Sequence, residues 1–516
     1  MANAQLFQSI LGKFVPFADT VNAAQAPAYA MTPRHQLAQY AATGCLNATY
    51  YASAEAQLAT VLQLCEQVDP TFIAQAAVYC RERGYMKDMP ALLAVVLVGK
   101  GAAELAPTFR RVINNGKMLR NFVQIIRSGV VGRKSLGTRP KKLVQQWLNN
   151  ATEAQLLSAS VGTSPSLADV VKMVHPKPAE AWRAAFFAWL IGKPFDADAL
   201  PPQLKAFEAY KLDRTQNLPD VPFQMLTSLE LSTEHWAQIA KQGSWQMVRM
   251  NLNTFGRHGV YEVPGMIALI AAKLRDAEVI AKARVFPYQL MAAFKAASDE
   301  VPREIRNALE DALEIALSNV PEIEGRVVVC PDVSGSMASP VSGYRGSVTS
   351  AIRCIDVAGL VAAAMLRKNP EAMVIPFAGD VVRCDLNPRD TVMTNAQKLA
   401  DLGGGATSCS APLALMLKNK VKANLVVYVS DNESWIDARQ GMTATMQRWN
   451  EYTVHNPQAR LVCIDCTPNA TSQAVEREDI LNIGGFSDDV FKIIAAFAAG
   501  QLGAGHWVGE IEAVGM

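Results

Sequence analysis

The chain has 516 residues, of which 50% are hydrophobic and 19% are charged. This length exceeds what one ordinary hydrophobic core accommodates, so we expect at least two domains, and the composition excludes a disordered or fibrous chain. The net charge of +2 excludes a uniformly basic or acidic protein, but the 33 Lys and Arg against 28 Asp and Glu up to Gly325 leave the first part basic and the remainder acidic.

No targeting or membrane segment is apparent in the sequence. The first residues, MANAQLFQSILGKFVPF, lack the basic leader and the long apolar run of a secretory signal. The most apolar stretch, residues 91–98, is far shorter than the roughly 20 residues that a membrane-spanning helix needs. Only two of the nine cysteines, Cys463 and Cys466, form a CxxC pair, without the further ligands of a zinc site. We therefore expect a cytoplasmic protein with reduced thiols and no membrane partner.

Up to about Asn319 the chain is a succession of amphipathic segments with a helical period. They include AQLATVLQLCEQ, PTFIAQAAVYCRERG, KMLRNFVQIIRSG, AEAWRAAFFAWLIG and EIRNALEDALEIALSN, separated by Pro, Gly or Asn. Many such helices with short connections predict a solenoid of helix pairs. The spacing is too irregular for TPR or ankyrin repeats, so loose HEAT-like pairs fit best.

A basic segment lies between Leu105 and Thr152, where no Asp or Glu occurs. Helical geometry places Phe122 and Ile126 on one side of the segment's helix and Lys117 on the other. Uncompensated positive charge attracts a polyanion, and the Gly-rich connection GVVGRKSLGTRPKK can follow a phosphate backbone closely. The alternative is a solvated face with no partner, and these residues do not separate RNA from DNA. The candidate contacts are Arg110, Arg111, Lys117, Arg120, Arg127, Arg133, Lys134, Arg139, Lys141 and Lys142.

A second candidate segment, VKMVHPKPAEAWRAAFFAW, carries Lys172 and His175 before a strongly apolar helix. A single histidine before a proline is more often a turn or cap residue than a functional one, so residue chemistry alone favours a structural role for His175. Lys172 is a candidate RNA contact as a cation of this segment, and His175 becomes one through the family resemblance given below.

From Gly325 the pattern changes to apolar β-branched runs that alternate with helical segments. RVVVC, NLVVYVS and ARLVCID are typical of buried strands, and TSAIRCIDVAGLVAAAMLRK of an intervening helix. The alternation predicts a doubly wound α/β domain with a parallel sheet covered on both faces. We place the boundary near Pro321–Glu324, which gives an α-helical HEAT-like domain, 1–322, and an α/β domain, 323–516.

Oxygen-bearing side chains follow the predicted strands of the second domain. Asp332, Ser334 and Ser336 form a DxSxS run directly after RVVVC, at a carboxyl strand end where open α/β sheets bind ligands. Thr407 follows a glycine-rich loop, and Asp431 ends the strand NLVVYVSD. Such hard donors suit Mg²⁺ or another divalent cation. A DxSGS run alone would indicate a capped turn; the two further residues favour a metal site.

These five residues, in this order, resemble the metal-ion-dependent adhesion site of von Willebrand factor A domains. In that family Asp, Ser and Ser come from the first loop, Thr from the second and Asp from the third. An acidic group of a partner fills the open coordination position of the metal. The resemblance therefore implies partner binding, by a protein carboxylate or a phosphate, and not hydrolysis.

A helical-repeat domain followed by an A domain resembles the Ro autoantigen family, including its bacterial orthologues. The helical part of that family, called TROVE, is matched by GRKSLGTRPKK before LVQQWL, by VKMVHPKP and by ARVFPYQLMAAFKA. The resemblance covers nearly the whole chain, and the domain order with these segments distinguishes Ro from other A-domain proteins.

The resemblance implies a monomeric ring of HEAT-like repeats closed by the A domain. It also implies binding of small noncoding Y RNA on the outer surface and of single-stranded ends of misfolded RNA in the hole. Bacterial members work with exoribonucleases in RNA quality control and stress survival. The positions carried over first are Lys134, Arg139, Lys141, Lys142 and His175.

Two other classes of function remain open. An enzyme is disfavoured because no GxxxxGK[ST], HExxH or GxSxG motif occurs. Nuclease chemistry generally needs several carboxylates around one or two metals, whereas hydroxyls dominate the predicted site. The second alternative is a scaffold whose metal site grips an acidic partner protein without RNA. A scaffold has no need of the uninterrupted basic segment, although both roles can coexist.

Overall fold

The computed structural model describes the chain except residues 1–8, 11–12, 15, 44–45, 284, 286, 345–351, 436–441 and 504, and except the side chains of residues 9, 10, 13, 14, 319 and 488. Cys45 and two residues of the segment ARVFPYQLMAAFKA, 284 and 286, therefore lie outside the described residues. No described helix is both long enough and apolar enough to cross a membrane.

Along the chain, a long helical region separates the strands near the beginning from the strands after Gly325. The strands are β1 (Ser9–Ile10), β2 (Lys13–Phe14), β3 (Thr20–Val21), β4 (Pro27–Ala30), β5 (Val327–Pro331), β6 (Met373–Val374), β7 (Leu425–Ser430), β8 (Arg460–Asp465), β9 (Thr471–Ser472) and β10 (Ile480–Gly484). The helices are α1 (Pro33–Thr43), α2 (Ala54–Gln67), α3 (Pro70–Glu82), α4 (Asp88–Gly99), α5 (Leu105–Val112), α6 (Gly116–Ser128), α7 (Thr138–Asn150), α8 (Glu153–Ser160), α9 (Leu167–Val174), α10 (Ala181–Leu190), α11 (Pro202–Leu212), α12 (Phe223–Leu226), α13 (Thr233–Gln242), α14 (Trp245–Met250), α15 (Leu252–Arg257), α16 (Met266–Leu274), α17 (Ala277–Ala283), α18 (Pro287–Ala296), α19 (Arg303–Ala316), α20 (Cys354–Lys368), α21 (Val392–Ala400), α22 (Ala411–Lys418), α23 (Ala444–His455), α24 (Asp488–Ala498) and α25 (His506–Glu512).

The chain divides into two compact units. Unit 1 comprises Met1–Asp69 with Ala271–Val514, and unit 2 comprises Pro70–Ile270 with Gly515–Met516. Both units take residues from the predicted domain 1–322, and both include residues of 323–516. The boundaries of the two units therefore differ from those of the two predicted domains. The predicted domain boundary at 322/323 stays a prediction.

Unit 2 is helical in its described residues, and each helix packs on near neighbours in the chain. Helix α3 contacts α4 and α5, α4 contacts α6, and α6 contacts α8 and α9, as expected for stacked helix pairs. The apolar stretch 91–98 forms the buried middle of α4. It is a core helix of a globular unit, which explains why it is apolar on all sides but short.

Helix α6 shows how local sequence sets these boundaries. The Asn115 side chain accepts a hydrogen bond from the backbone N–H of Met118 at 3.0 Å, capping the first turn. Gly129, with φ of 85°, ends the helix in the left-handed conformation that glycine adopts without strain. Between them Phe122 and Ile126 are buried while Lys117 is exposed, as the periodicity predicted.

Unit 1 contains a five-stranded parallel sheet in the order β10-β8-β7-β5-β6. On β5, Val328 and Cys330 belong to a core with Met416 of α22 and Trp449 of α23. Their neighbours along the strand are equally buried and, by the alternation of strand side chains, face the opposite side. Helix α20 also contacts β5 and β7. The sheet is thus covered on both faces, and the predicted doubly wound fold is confirmed.

The beginning of the chain belongs to unit 1 because it pairs with the α/β part. Strand β4 lies antiparallel to β9, and α1 packs on β10. The two elements approach closely, since a Cβ on Gly484 would lie 2.1 Å from Oε1 and 3.3 Å from Cα of Gln39 on α1. A side chain at Gly484 would therefore force the Gln39 amide to move. The short strands β3 and β4 have little apolar period, which is why the sequence indicated only helices in this region.

Candidate functional site

The predicted metal residues lie at the carboxyl ends of neighbouring parallel strands. Asp332 follows β5 and Asp431 follows β7, and these two strands pair directly. The loop that carries Thr407 is joined to the first loop because Gly335 N–H donates to Gly405 O at 3.0 Å. Gly404 and Gly405 have φ of 141° and 90°, which explains the glycine run before Thr407.

Two hydrogen bonds hold the side chain of Asp332. It is fully buried, and it accepts hydrogen bonds from Ser430 Oγ at 2.6 Å and from Ser334 N–H at 2.8 Å. The hydroxyl oxygens of Ser334 and Ser336 are 3.4 Å apart. Burial, with the nearby charge of Asp431, raises the pKa of Asp332 to about 7.

Asp431 and Thr407 complete the arrangement from two other loops. Asp431 is buried, and burial raises its pKa, although hydrogen bonding to Ser336 favours its ionised form. The Asp431 loop meets the Thr407 loop where Trp435 N–H donates to Thr407 O at 3.2 Å. The fold therefore brings the five sequence-predicted residues to one place.

The residues at this place fit a hard divalent cation. Two buried carboxylates repel each other there, and the remaining predicted donors are hydroxyls, so the donors are oxygens throughout. Asp465, at the end of β8, adds a buried Oδ2 that has no hydrogen-bond partner among the described residues. Within the same residues no group of three or more His, Cys, Asp or Glu is arranged to hold a metal. The site is thus of the mixed carboxylate–hydroxyl kind.

Several residues beside the site were missed by sequence reasoning. The carboxylate of Glu433 is buried and accepts from Ala24 N–H at 3.2 Å, and its pKa is raised to about 8 by burial and by Asp431. The Tyr51 hydroxyl hydrogen-bonds to Ser336. Ala24 and Tyr51 lie about 300 residues or more before the metal loops, so no motif spacing could have found them. Glu433 follows Asp431 by two residues, and this proximity was the one signal that the sequence offered.

Exposed aromatic side chains surround the same loops. Trp435 is 48% exposed and Tyr50 is 61% exposed, with the Tyr50 ring 4.8 Å from that of Tyr51. Tyr344, 55% exposed, donates its N–H to Ala48 O at 2.8 Å and so lies beside the Tyr50 segment. Exposed aromatic side chains gathered in one place are typical of binding surfaces.

Four of the predicted RNA-contact cations have structural contacts in unit 2. Arg111 forms a two-pronged ion pair with Glu82, with distances of 2.6 and 2.7 Å. Arg139 donates to Ala102 O and Ala103 O just after α4, and Arg133 donates to Ser135 O and Leu136 O in its own loop. The Arg120 guanidinium lies over Gly162, and burial lowers its pKa. These four have contacts within the helical unit and its loops, which the charge pattern alone did not indicate.

The other seven predicted cations are differently placed. None of them forms an ion pair with a described residue, and all except the half-buried Lys141 are exposed. They come from α5, α6, the loop before α7, α7 and α9 of unit 2, and their contact with RNA stays a prediction. They are Arg110, Lys117, Arg127, Lys134, Lys141, Lys142 and Lys172.

His175 and the CxxC pair have structural surroundings. His175 has φ of 49° and caps the end of α9, and its carbonyl lies 3.4 Å from Nε2 of Gln145, while its ring is exposed. The cap role is what residue chemistry favoured, and the exposed ring leaves RNA contact a prediction. Cys463 and Cys466 are buried free thiols, and burial raises the pKa of each well above its ordinary value.

The chain is similar in sequence to known proteins. Residues 326–498 match the family described as the Ro60 vWA domain. The RNA-binding protein RO60 of Deinococcus radiodurans is 24% identical, over 92% of this chain and 94% of that protein. The RNA-binding protein RO60 of Caenorhabditis elegans is 21% identical, over 45% of this chain and 37% of that protein.

A solved structure extends the comparison to the fold. The crystal structure of the Deinococcus radiodurans RO (RSR) protein matches with a TM-score of 0.62 at 21% sequence identity. The match covers 91% of this chain and all of that chain. The fold expected from the resemblance, a helical part and a von Willebrand factor A-like domain, is therefore confirmed.

Proposed function

We propose a function from the premise that this chain belongs to the Ro family: it is an RNA-binding protein of the Ro type and not an enzyme. Its ligands are a small noncoding RNA of the Y type and the single-stranded ends of misfolded RNA. It acts as a monomer in the cytoplasm, in RNA quality control and the stress response. The relatives named RNA-binding proteins support the general role.

The seven cations of unit 2 that form no ion pair are the observation that carries this proposal. None of them forms a salt bridge with a described residue, although the Asp169 carboxylate interacts electrostatically with Lys172 and Arg127. The charge of the other five is available to a ligand. Lysines and arginines that neutralise phosphates release counterions from the nucleic acid, and this gives affinity without sequence specificity. A polyanion is the ligand class that such a surface binds best.

The test is binding of a structured RNA with a single-stranded 3′ tail over a salt series. Lys134, Lys141 and Lys142 are changed together to Gln; Arg139 is left intact because it contacts the end of α4. If all three lysines contact phosphates, the slope of log affinity against log salt becomes shallower by about 2. Changing Lys418, Lys420 and Lys422 to Gln removes the same charge from unit 1 and should leave the slope unchanged.

Two results of this experiment would contradict the proposal. Equal slopes in the two triple variants would contradict phosphate contact by the basic surface. If the parent protein binds no RNA at moderate salt, RNA binding is wrong, and the scaffold function takes its place.

The second part of the proposal is a Mg²⁺ or other divalent site for partner binding. Asp332, Ser334, Ser336, Thr407 and Asp431 would hold the cation, and Ser430 keeps the Asp332 carboxylate in place. When bound, the cation would supply a coordination position for an acidic group of a partner, such as an exoribonuclease. The exposed Tyr50 and Trp435 beside these loops support a protein ligand.

A further inference from the structure

A groove in unit 2 lies between the end of α5, the last turns of α7 and the start of α8. Its volume is about 400 Å³, within the range of pockets that hold small organic groups. It is separate from the predicted metal site, and it includes Gln146 and Trp147 of the segment LVQQWL together with Arg110 of the basic segment. Its lining is Phe109, Arg110, Ile113, Asn114, Leu143, Gln146, Trp147, Asn150, Ala151 and Gln155.

The groove has a rigid apolar floor. Phe109, Ile113 and Leu143 are buried, and the Phe109 ring packs edge-on against Phe122 with ring centroids 5.0 Å apart. Trp147 is half-buried, so part of its indole faces the groove. A half-exposed indole beside a fixed apolar floor is a surface on which a planar ring can stack.

The rim of the groove carries amide groups and one cation. The side-chain amides of Gln146 and Asn150 are exposed and make no hydrogen bond among the described residues. Asn114 uses its Oδ1 to accept from Arg81 at 2.6 Å, which leaves its NH₂ group to donate. Arg110 is exposed at the same rim without an ion pair to a described residue.

The groove is continuous with the basic surface along one face of α7. Lys142, Gln146 and Asn150 are spaced four residues apart and are exposed, so they follow one another along the helix. Each step rises about 6 Å. A phosphate held by Lys142 or Arg110 would therefore lie close to a ring seated against Trp147.

We propose that this groove is a nucleobase subsite, in which one unstacked base of single-stranded RNA lies against Trp147, its edge faces the amides of Gln146 and Asn150, and its phosphate lies on Arg110. This rests on the proposed RNA binding and adds a base contact to it. Amide groups pair with base edges, and aromatic rings stack on unstacked bases of single strands. A cationic peptide is a poor alternative ligand, because no Asp or Glu occurs from Leu105 to Thr152 to pair with it.

The experiment measures binding of the full chain to two single-stranded probes. One is a ten-nucleotide oligoadenylate, and the other is a ten-residue phosphate backbone that carries no bases. Trp147→Leu should weaken binding of the oligoadenylate about tenfold or more, because stacking of a base on an aromatic ring is lost. It should leave binding of the baseless backbone and the salt dependence unchanged.

Two further variants keep the test independent of folding. Gln146→Ala removes an exposed amide and should weaken only the base-carrying probe. Arg110→Gln should make the salt slope for oligoadenylate shallower by about 0.7, the value for one phosphate contact. Trp182→Leu is the matched control for loss of a half-buried tryptophan in the same unit, and it should bind both probes like the parent.

The outcomes separate the subsite from the proposed function. If the parent binds oligoadenylate and both Trp147→Leu and Gln146→Ala bind it equally well, the subsite is wrong and RNA binding stands. The subsite is also wrong if Trp147→Leu weakens both probes alike. If the parent binds neither probe nor structured RNA, RNA binding and the subsite fail together.

Discussion

At the residue scale the predicted metal site depends on two buried carboxylates that have no cationic partner among the described residues. Asp332 and Asp431 are both buried, and the charge of Asp431 acts on Asp332. Burying two like charges close together is costly unless a cation offsets them. The hydrogen bonds from Ser430 and Ser334 hold Asp332 in place but do not neutralise it.

Metal binding should therefore stabilise the parent and not an Asp332→Asn variant. A cation that binds only the folded state adds about 2.7 kcal/mol to the free energy of unfolding at a hundred times its Kd. We expect a rise in Tm with added Mg²⁺ in the parent, abolished by a chelator and absent from Asp332→Asn. Asp385→Asn, which removes an exposed carboxylate of the same unit, should retain the rise; equal rises in both variants would contradict the site.

His35 links the stability of unit 1 to pH. It is buried on α1, its Nε2 lies 3.0 Å from Asn482 O, and burial lowers its pKa to about 4. In the unfolded chain its pKa is close to 6.5, so below that pH the unfolded state binds a proton that the folded state does not. The contribution of His35 to stability is therefore present above pH 6.5 and is lost as the pH falls towards 4.

The free energy of unfolding of the parent should include a loss of about 2 kcal/mol from His35 between pH 7.5 and pH 5.0. Urea unfolding of His35→Gln at the two pH values should show a pH effect smaller by this amount. His455→Gln replaces a histidine exposed at the end of α23 and serves as the control. A His35→Gln variant with the parent's pH dependence would show that burial does not shift this histidine.

At the scale of elements, unit 2 depends on close helix contacts that periodicity does not reveal. Gly116 begins α6, and a Cβ at this position would lie 2.1 Å from the Cβ of Ala159 on α8. Real Cβ atoms do not approach so closely, so the two helices would have to separate. The sequence predicts α6 correctly, but it does not indicate that α6 contacts α8 at a glycine.

Gly116→Ala should therefore destabilise the chain by about 1–3 kcal/mol, as overpacking of a tight contact does. The decrease would be measured as a lower Tm in the far-ultraviolet circular dichroism of the purified protein. Gly509→Ala is the control: it lies in α25 with no heavy atom within 4 Å of the added Cβ, and alanine there should raise the Tm because glycine is a poor helix former. Equal effects of the two changes would contradict the contact.

Contacts between elements of unit 2 explain why some cations that were predicted to contact RNA have a structural role. Arg139 donates to carbonyl groups just after α4, and Arg111 pairs with Glu82 of α3. The acid-free segment of the sequence suggested ten cations without partners, but partners came from carbonyl groups and from a glutamate outside the segment. Charge counting along the chain detects neither.

At the scale of the whole molecule, the predicted functions fall in different units. The seven cations without ion pairs belong to unit 2, and the five predicted metal residues belong to unit 1. The two can therefore be tested independently, since the lysine variants leave the metal loops intact and Asp332→Asn leaves the basic surface intact. A chain that binds RNA through unit 2 and a partner protein through unit 1 would hold the RNA and the partner in one complex.

The sequence by itself determined the helical and α/β halves, the parallel sheet, the faces of α6 and the order of the five metal residues. These depend on periodicity and on strand ends, which are local properties. Only the tertiary structure decided that Asp465 and Tyr51 lie beside the metal loops, that the first 69 residues belong with the sheet, and that Trp147 lines a groove. The physical reason is that contacts between residues far apart in the chain arise from packing, and packing leaves no period or spacing in the sequence.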